Sequence, residues 1–349
     1  MSDLTDSSSI EKDVHGNPFW TCGSPVGKLE ITINLAKPEK DPRAIAAAAQ
    51  TAVGESETCD LCWTPAGSDD PAHLLHSGAP VREVRLGNES WAWWFSPYGY
   101  FPEHLIVAAP EHRPMLIDHA TIGRLLDFVD VFPQWFIGSN ADLPIVGGSI
   151  LGHDHFQGGG YRFPLMDAPV ERRFAIDGLE RVQAGIVRWP ASVVRLRCAD
   201  RVAVSEAVCR VMDAWRPFTF EECAIEAFTL QESSAPASAR FVRHNTLNPI
   251  LWREGDDYVM DLVLRNNRIT PERPYGLFHV PESLFHIKKE NIGLIEIMGR
   301  AILPARLAAE LPAVRDECSR AFCEILQATG VFKQTPAGRR GWEAFTSSI

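Results

Sequence analysis

Apolar and polar positions alternate most clearly near the start of the chain. KLEITINL (Lys28–Leu35) changes side at every residue, the period of a half-buried strand. DPRAIAAAAQTAV (Asp41–Val53) predicts a helix opened by Asp41 or Pro42. REVRL, WAWWFS and HLIVAA are short β-type runs punctuated by Gly, Asn or Pro, the pattern of an antiparallel sheet, with Trp91, Trp93 and Trp94 as packing residues. DHATIGRLLDFVDVF (Asp118–Phe132) places Ile122, Leu125, Leu126 and Val129 on one helical face. A glycine-rich strand follows it.

From about residue 170 the pattern starts again. RRFAI and ASVVRLRC read as strands, Ser205–Trp215 as a helix, FTFEECAIEAF and YVMDLVLRN as further strands, and Arg306–Thr329 as a long amphipathic helix. Strands and helices interleave without regular βαβ spacing, so the expected class is α+β with mainly antiparallel sheet and flanking helices. The order of elements repeats although the sequence does not. The expected organisation is a Ser/Asp-rich loose tail (1–20), an N-terminal half (21–170) and a C-terminal half (171–349).

Bulk composition narrows the function classes. With 349 residues, 45% of them hydrophobic and 23% charged, the chain can bury a sizeable core. A net charge of −11 argues against nucleic acid as a partner, but leaves room for a small phosphorylated ligand in a local pocket. No apolar run reaches bilayer length and MSDLTDSSSIEKD lacks a signal-peptide pattern, so no membrane partner is expected. The eight cysteines are scattered apart from Cys59/Cys62 and Cys318/Cys323, which points to a reducing cytoplasm rather than a disulfide framework.

The stretch carrying chemistry is SNADLPIVGGSILGHDHFQGGG, Ser139–Gly160. On a strand, His153, His155 and Gln157 face one side in a row. Gly147, Gly148 and Ser149 lie upstream, where freed backbone N–H groups can cradle an anion. Imidazole, imidazole and amide beside such a nest suit phosphoryl or nucleotidyl transfer with a histidine as nucleophile. Cys59-Asp-Leu-Cys62 is a C-x-x-C knuckle that, alone, fits zinc, redox chemistry or neither. Asn140 is the expected nucleoside contact, an Asx-turn role being its plainer reading.

NADLPIVGGSILGHDHFQGG resembles the active-site segment of the galactose-1-phosphate uridylyltransferases of the second bacterial branch, within the histidine-triad superfamily. INLAKPEKDPRAI, FSPYGYFPEHLIV, RHNTLNPI, DLVLRNNR, FHIKKENIGLIEIMGRAILPARL and GVFKQTPAGRRGWEAF agree, so the resemblance covers most of residues 33–345. It implies two histidine-triad-like halves, and a mechanism in which His155 attacks the α-phosphorus of UDP-glucose while Gln157 bonds the transferred group. An amide cannot shuttle a proton, so the intermediate would wait for a sugar phosphate rather than react with water.

The resemblance also implies a structural zinc site, with His112 and His153 completing Cys59 and Cys62. Lys288, Lys289, Asn291 and Gly293 match the segment that approaches the sugar phosphate, Arg243, His244 and Asn245 are expected to line the cleft, and His104 is read as a packed or surface histidine without a role. Where the family carries His-Pro-His, this chain has His279-Val280-Pro281, so a second metal is not expected. The segment after Cys62, WTPAGSDDPAHLLHSG, also departs from the family pattern. Expected partners are UDP-glucose and a hexose 1-phosphate; a homodimer is compatible with the sequence but not specified by it. The rival readings are a related transferase or phosphorylase with another nucleotide or acceptor, and a non-catalytic nucleotide- or zinc-binding homologue.

Overall fold

The computed structural model describes residues 8–36, 39, 59–63, 81–148, 150–231 and 240–349. The helix expected over 41–53 lies outside them. Strands β1 (Glu11–Lys12), β2 (Pro18–Ser24) and β3 (Gly27–Asn34) form an antiparallel ribbon. Residues 8–20 are therefore not the loose tail expected of a Ser/Asp-rich start. Trp20 is fully buried, and its indole N–H donates to Ser319 Oγ at 2.9 Å. Burying so large a side chain outweighs the short polar run beside it.

The main sheet begins with β4 (Arg82–Leu86), β5 (Glu89–Phe95), β6 (Leu105–Ala108), β7 (Phe136–Gly138) and β8 (His155–Gly159). Helix His119–Val131 links β6 to β7 and starts where the Asp118 carboxylate accepts from Thr121 N at 2.8 Å. The second series is β9 (Val170–Phe174), β10 (Gln183–Val187) and β11 (Val193–Cys198). Helix Arg201–Trp215 follows, capped by Asp200, then a separate hairpin of β12 (Phe228–Gln231) and β13 (Arg240–Arg243), and finally β14 (Asn245–Glu254) and β15 (Asp257–Asn266).

All ten strands join one antiparallel sheet in the order β4-β5-β6-β8-β7-β14-β15-β11-β10-β9. Read inward from either edge, each half has the same order: three consecutive strands, then the fifth, then the fourth. The long helix precedes the fourth strand in both. The halves meet at β7 and β14, where Ile137 pairs with Leu251.

Side-chain alternation divides the core into two layers. On one face Leu247, Leu251, Met260 and Leu262 pack with Leu125 and Val208 of the two helices. On the other, Ile250, Trp252, Val259 and Val263 pack with Ile31, Phe163, Ile302 and Phe322. The second layer closes when β16 (Arg300–Pro304) pairs in parallel with β3, tying the two ends of the chain together.

Two expected elements change. FTFEECAIEAF is mostly a 3-10 turn (Glu221–Cys223) leading into Ala224 in the left-handed region (φ 56°), and strand β12 starts only at Phe228. The long helix expected over 306–329 is a 3-10 segment, Ala305–Glu310, and a helix, Arg315–Thr329. Pro312 separates them, because it lacks an N–H and disfavours helical backbone in the residue before it. A helix not marked by the hydrophobic pattern, Pro336–Thr346, begins with Thr335 accepting from Gly338 N. No helix among the described residues is long and apolar enough to cross a membrane.

Candidate active site and metal centre

β8 lies between β6 and β7, and its register sets His155 opposite Ala108 and Gln157 opposite both Ile106 and Gly138. Phe156 points to the opposite face and stacks on Trp91, with ring centroids 5.0 Å apart and planes 6° from parallel. This contact fixes which face His155 and Gln157 present. Both line a pocket with Ser96, Tyr98, Tyr100 and His104. Gly147, Gly148 and Asn140 form a second wall, and Glu290, Asn291, Gly293 and Glu296 from the C-terminal half form a third.

The expected three-residue row is broken at its first member. The strand starts at His155, and His153 precedes it. Asp154 N donates to Arg113 O, and Asp154 O accepts from Ala109 N. These bonds turn His153 away from the pocket, toward the cysteines.

His155 is buried, and its Nδ1 lies 2.8 Å from its near neighbour's carbonyl, His153 O. A carbonyl only accepts, so Nδ1 carries the proton and Nε2 keeps its lone pair. Burial pushes the His155 pKa down to about 4, so the imidazole is neutral at pH 7. Such a group is an available nucleophile. Gln157 Oε1 lies 3.0 Å from His104 Nε2.

Cys59, Cys62, His112 and His153 place one ligand atom each within 4.8 Å of one another. His153 Nδ1 lies 3.3 Å from Cys59 Sγ and 3.7 Å from Cys62 Sγ, His112 Nδ1 lies 3.7 Å from Cys62 Sγ, and the sulfurs are 3.9 Å apart. Zinc bonds of about 2.0–2.3 Å in a tetrahedron require ligand separations of roughly 3.3–3.8 Å, so the donor set fits that ion. His153 Nε2 sits 3.0 Å from Ala109 O, an outer bond that would hold the ring with Nδ1 toward a metal.

No family model matches the chain. It is 42% identical to the galactose-1-phosphate uridylyltransferase of Halalkalibacterium halodurans over 379 aligned positions, covering 95% of this chain and 73% of that protein. The enzyme of the same name from Bacillus subtilis is 40% identical, covering 97% of this chain and 72% of that one. The one from Lactiplantibacillus plantarum is 46% identical, covering 85% and 59%. The chain belongs to the galactose-1-phosphate uridylyltransferase family.

The other family-matched positions divide in space. Asn140, Gly147, Gly148, Asn291 and Gly293 line the pocket. Asn140 Oδ1 accepts from Leu294 N at 2.9 Å, and a Cβ on Gly148 would come within 2.6 Å of the Asn140 amide nitrogen. Asn140 thus ties the N-terminal half to the 290–296 segment. Asn291 Oδ1 lies 3.1 Å from His279 Nε2. Ser149 is outside the described residues.

Lys288 and Lys289 are not among the lining side chains. Lys288 is buried, with Nζ 2.6 Å from Glu296 Oε1 and 3.3 Å from Glu290 Oε2, so its charge is met by the wall it stands behind. Arg243, His244 and Asn245 do not line the pocket either. Arg243 pairs with Asp142 at 2.7 Å, His244 bonds Thr229 and Asn267, and Asn245 bonds the carbonyls of Trp215 and Phe218. Conversely, His104, for which no role was expected, lines the site, as do Tyr98, Tyr100, Glu290 and Glu296. Only the strand register brings His104 to Gln157.

Proposed function

We propose that this protein moves the uridylyl group of UDP-glucose to galactose 1-phosphate in two displacements at His155. The observation that carries the reading is the buried imidazole on the pocket wall, with Nδ1 committed to a backbone carbonyl and Nε2 left basic. Nε2 attacks the α-phosphorus of UDP-glucose; a P–N bond forms, the P–O bond to glucose 1-phosphate breaks, and the bonding pair leaves with that product. The phosphate oxygen of galactose 1-phosphate then attacks the same phosphorus, and the P–N pair returns to Nε2. No proton need move in either step. The Nδ1–H facing His153 O stabilises the cationic uridylyl-imidazole while it waits.

Gln157 supports this as a donor to the phosphoryl oxygens that offers no acid–base route to water. The chain acts as two repeated halves, residues 21–170 carrying the nucleophile and 171–349 closing the pocket through 290–296. Cys59, Cys62, His112 and His153 would hold zinc, which supplies structural anchoring of the chain just before the nucleophile and has no open coordination position for substrate.

Incubation with UDP-glucose alone, followed by intact mass and peptide mapping, tests the reading. The expected result is one UMP on His155, released by acid and by galactose 1-phosphate, and absent in His155→Ala. An adduct at another residue, or turnover surviving in His155→Ala, rejects it.

A further inference from the structure

Gln157 can donate to a phosphoryl group only if its amide is turned the right way, and an amide alone has no reason to choose. His104 supplies that reason. Its ring is buried between Phe101 and Tyr100, with centroids 4.6 Å and 5.2 Å away, and its Nε2 meets Gln157 Oε1 at 3.0 Å. Its Nδ1 is buried with no hydrogen-bond partner among the described residues. If Nδ1 carried the ring proton, a donor would be stranded in an apolar pocket, the more costly of the two arrangements. The proton therefore sits on Nε2 and is donated to the Gln157 oxygen, leaving the Gln157 NH2 free to face the pocket.

The backbone is built to hold this contact. His104 follows a turn in which Glu103 takes left-handed backbone (φ 57°), and Ser96 N donates to His104 O at 2.7 Å. The turn presses on β8 just past Gln157: a Cβ on Gly159 would lie 2.2 Å from Glu103 O. Gly159, itself at φ 144°, is thus required for the approach of the His104 turn rather than for binding an anion.

We propose that His104 is a positioning residue for uridylyl transfer, holding the Gln157 amide with its NH2 toward the transferred phosphoryl group. The proposal rests on the reading of His155 and Gln157 above. It predicts a coupled pair, so the test is a double-mutant cycle read as the single-turnover rate of His155 uridylylation by UDP-glucose. His104→Phe keeps the ring packing and removes the N–H; it should slow labelling about 10-fold or more, up to the ~10²–10³-fold that loss of an oriented donor costs. In a Gln157→Ala background the same change should have no further effect. His104→Gln, which retains an N–H donor, should recover part of the rate.

Equal slowing in both backgrounds, or no slowing of the parent enzyme, overturns the proposal. A measurement independent of turnover guards against misfolded variants: nitrogen NMR of histidine-labelled wild type should show His104 as the Nε2–H tautomer, and the Nδ1–H tautomer would overturn it. A wild type that takes no label at all rejects the parent reading instead, while the tautomer still decides this one.

Discussion

The two halves of the main sheet share one strand order and one helix position, yet they differ in what their fifth strands carry. β8 holds His155 and Gln157, facing a pocket, with Phe156 anchored on Trp91 behind them. β15 is buried along nearly its whole length, and its central charge, Asp261, is fully buried in a two-bond pair with Arg195 at 2.7 Å. A fold repeated within one chain thus turns a histidine and a glutamine to a pocket on one copy and buries an ion pair on the other. Function resides in side chains placed on the scaffold, and the scaffold alone does not supply it.

The metal centre gives the largest expected effect. Structural zinc contributes an apparent ~10–16 kcal/mol in small metal-folded units, so removing a ligand should be severe in the N-terminal half. Purified protein should contain about one zinc per chain, and Cys59→Ala should lose both the metal and much of the thermal stability. Metal-free wild-type protein with an unchanged melting temperature would contradict the site.

Next comes the ion pair in the other half. Asp261→Ala leaves the Arg195 guanidinium, only 11% exposed, without its carboxylate, and breaking such a pair costs about 3–5 kcal/mol. Calorimetry should show that loss, while uridylylation of His155 in the folded protein keeps its rate. A slowed chemical step in well-folded Asp261→Ala would erase the division of labour between the halves.

Gln157→His tests the chemical half more finely. The transferase rate should fall about 10²–10³-fold, since an oriented donor is lost. Release of UMP without a sugar phosphate should rise relative to transfer, because an imidazole can pass a proton to and from water. A transfer-to-hydrolysis ratio that stays at the wild-type value would remove the reason given for an amide there.

Taken per pH unit, the smallest expected effect concerns pH. Burial pushes the His104 pKa down to about 3, against about 6.5 in the unfolded chain. Below pH 6.5 the unfolded chain binds a proton that the folded one refuses. This contribution is therefore present above 6.5 and lost as pH falls toward 3, by at most about 1.4 kcal/mol per pH unit. His104→Phe should flatten the acid side of the stability profile by that slope, and an unflattened profile would show that His104 is not held neutral.

Local pattern determined much of this molecule. Alternation marks β3, β4 and β11, an apolar run marks β15, the 3.6-residue period marks the helix opened by Asp118, and H-x-H-x-Q beside glycines marks the strand that lines the pocket; such signals act between near neighbours and need no fold. Recognition of the family segments added Cys59, Cys62, His112 and His153, which do come together. Tertiary structure decided the rest. The strand boundary at His155 sent His153 to the cysteines, the Glu290–Glu296 wall took the charge of Lys288, and β6–β8 register laid His104 against Gln157. The contacts of His153 with the cysteines and of His104 with Gln157 join residues some fifty to a hundred positions apart and leave no periodicity to read. The Lys288 pairs are near in sequence but follow no regular period. Whether a lysine meets a substrate or a carboxylate, and whether a histidine packs or orients an amide, is chosen by what the closed chain places beside it.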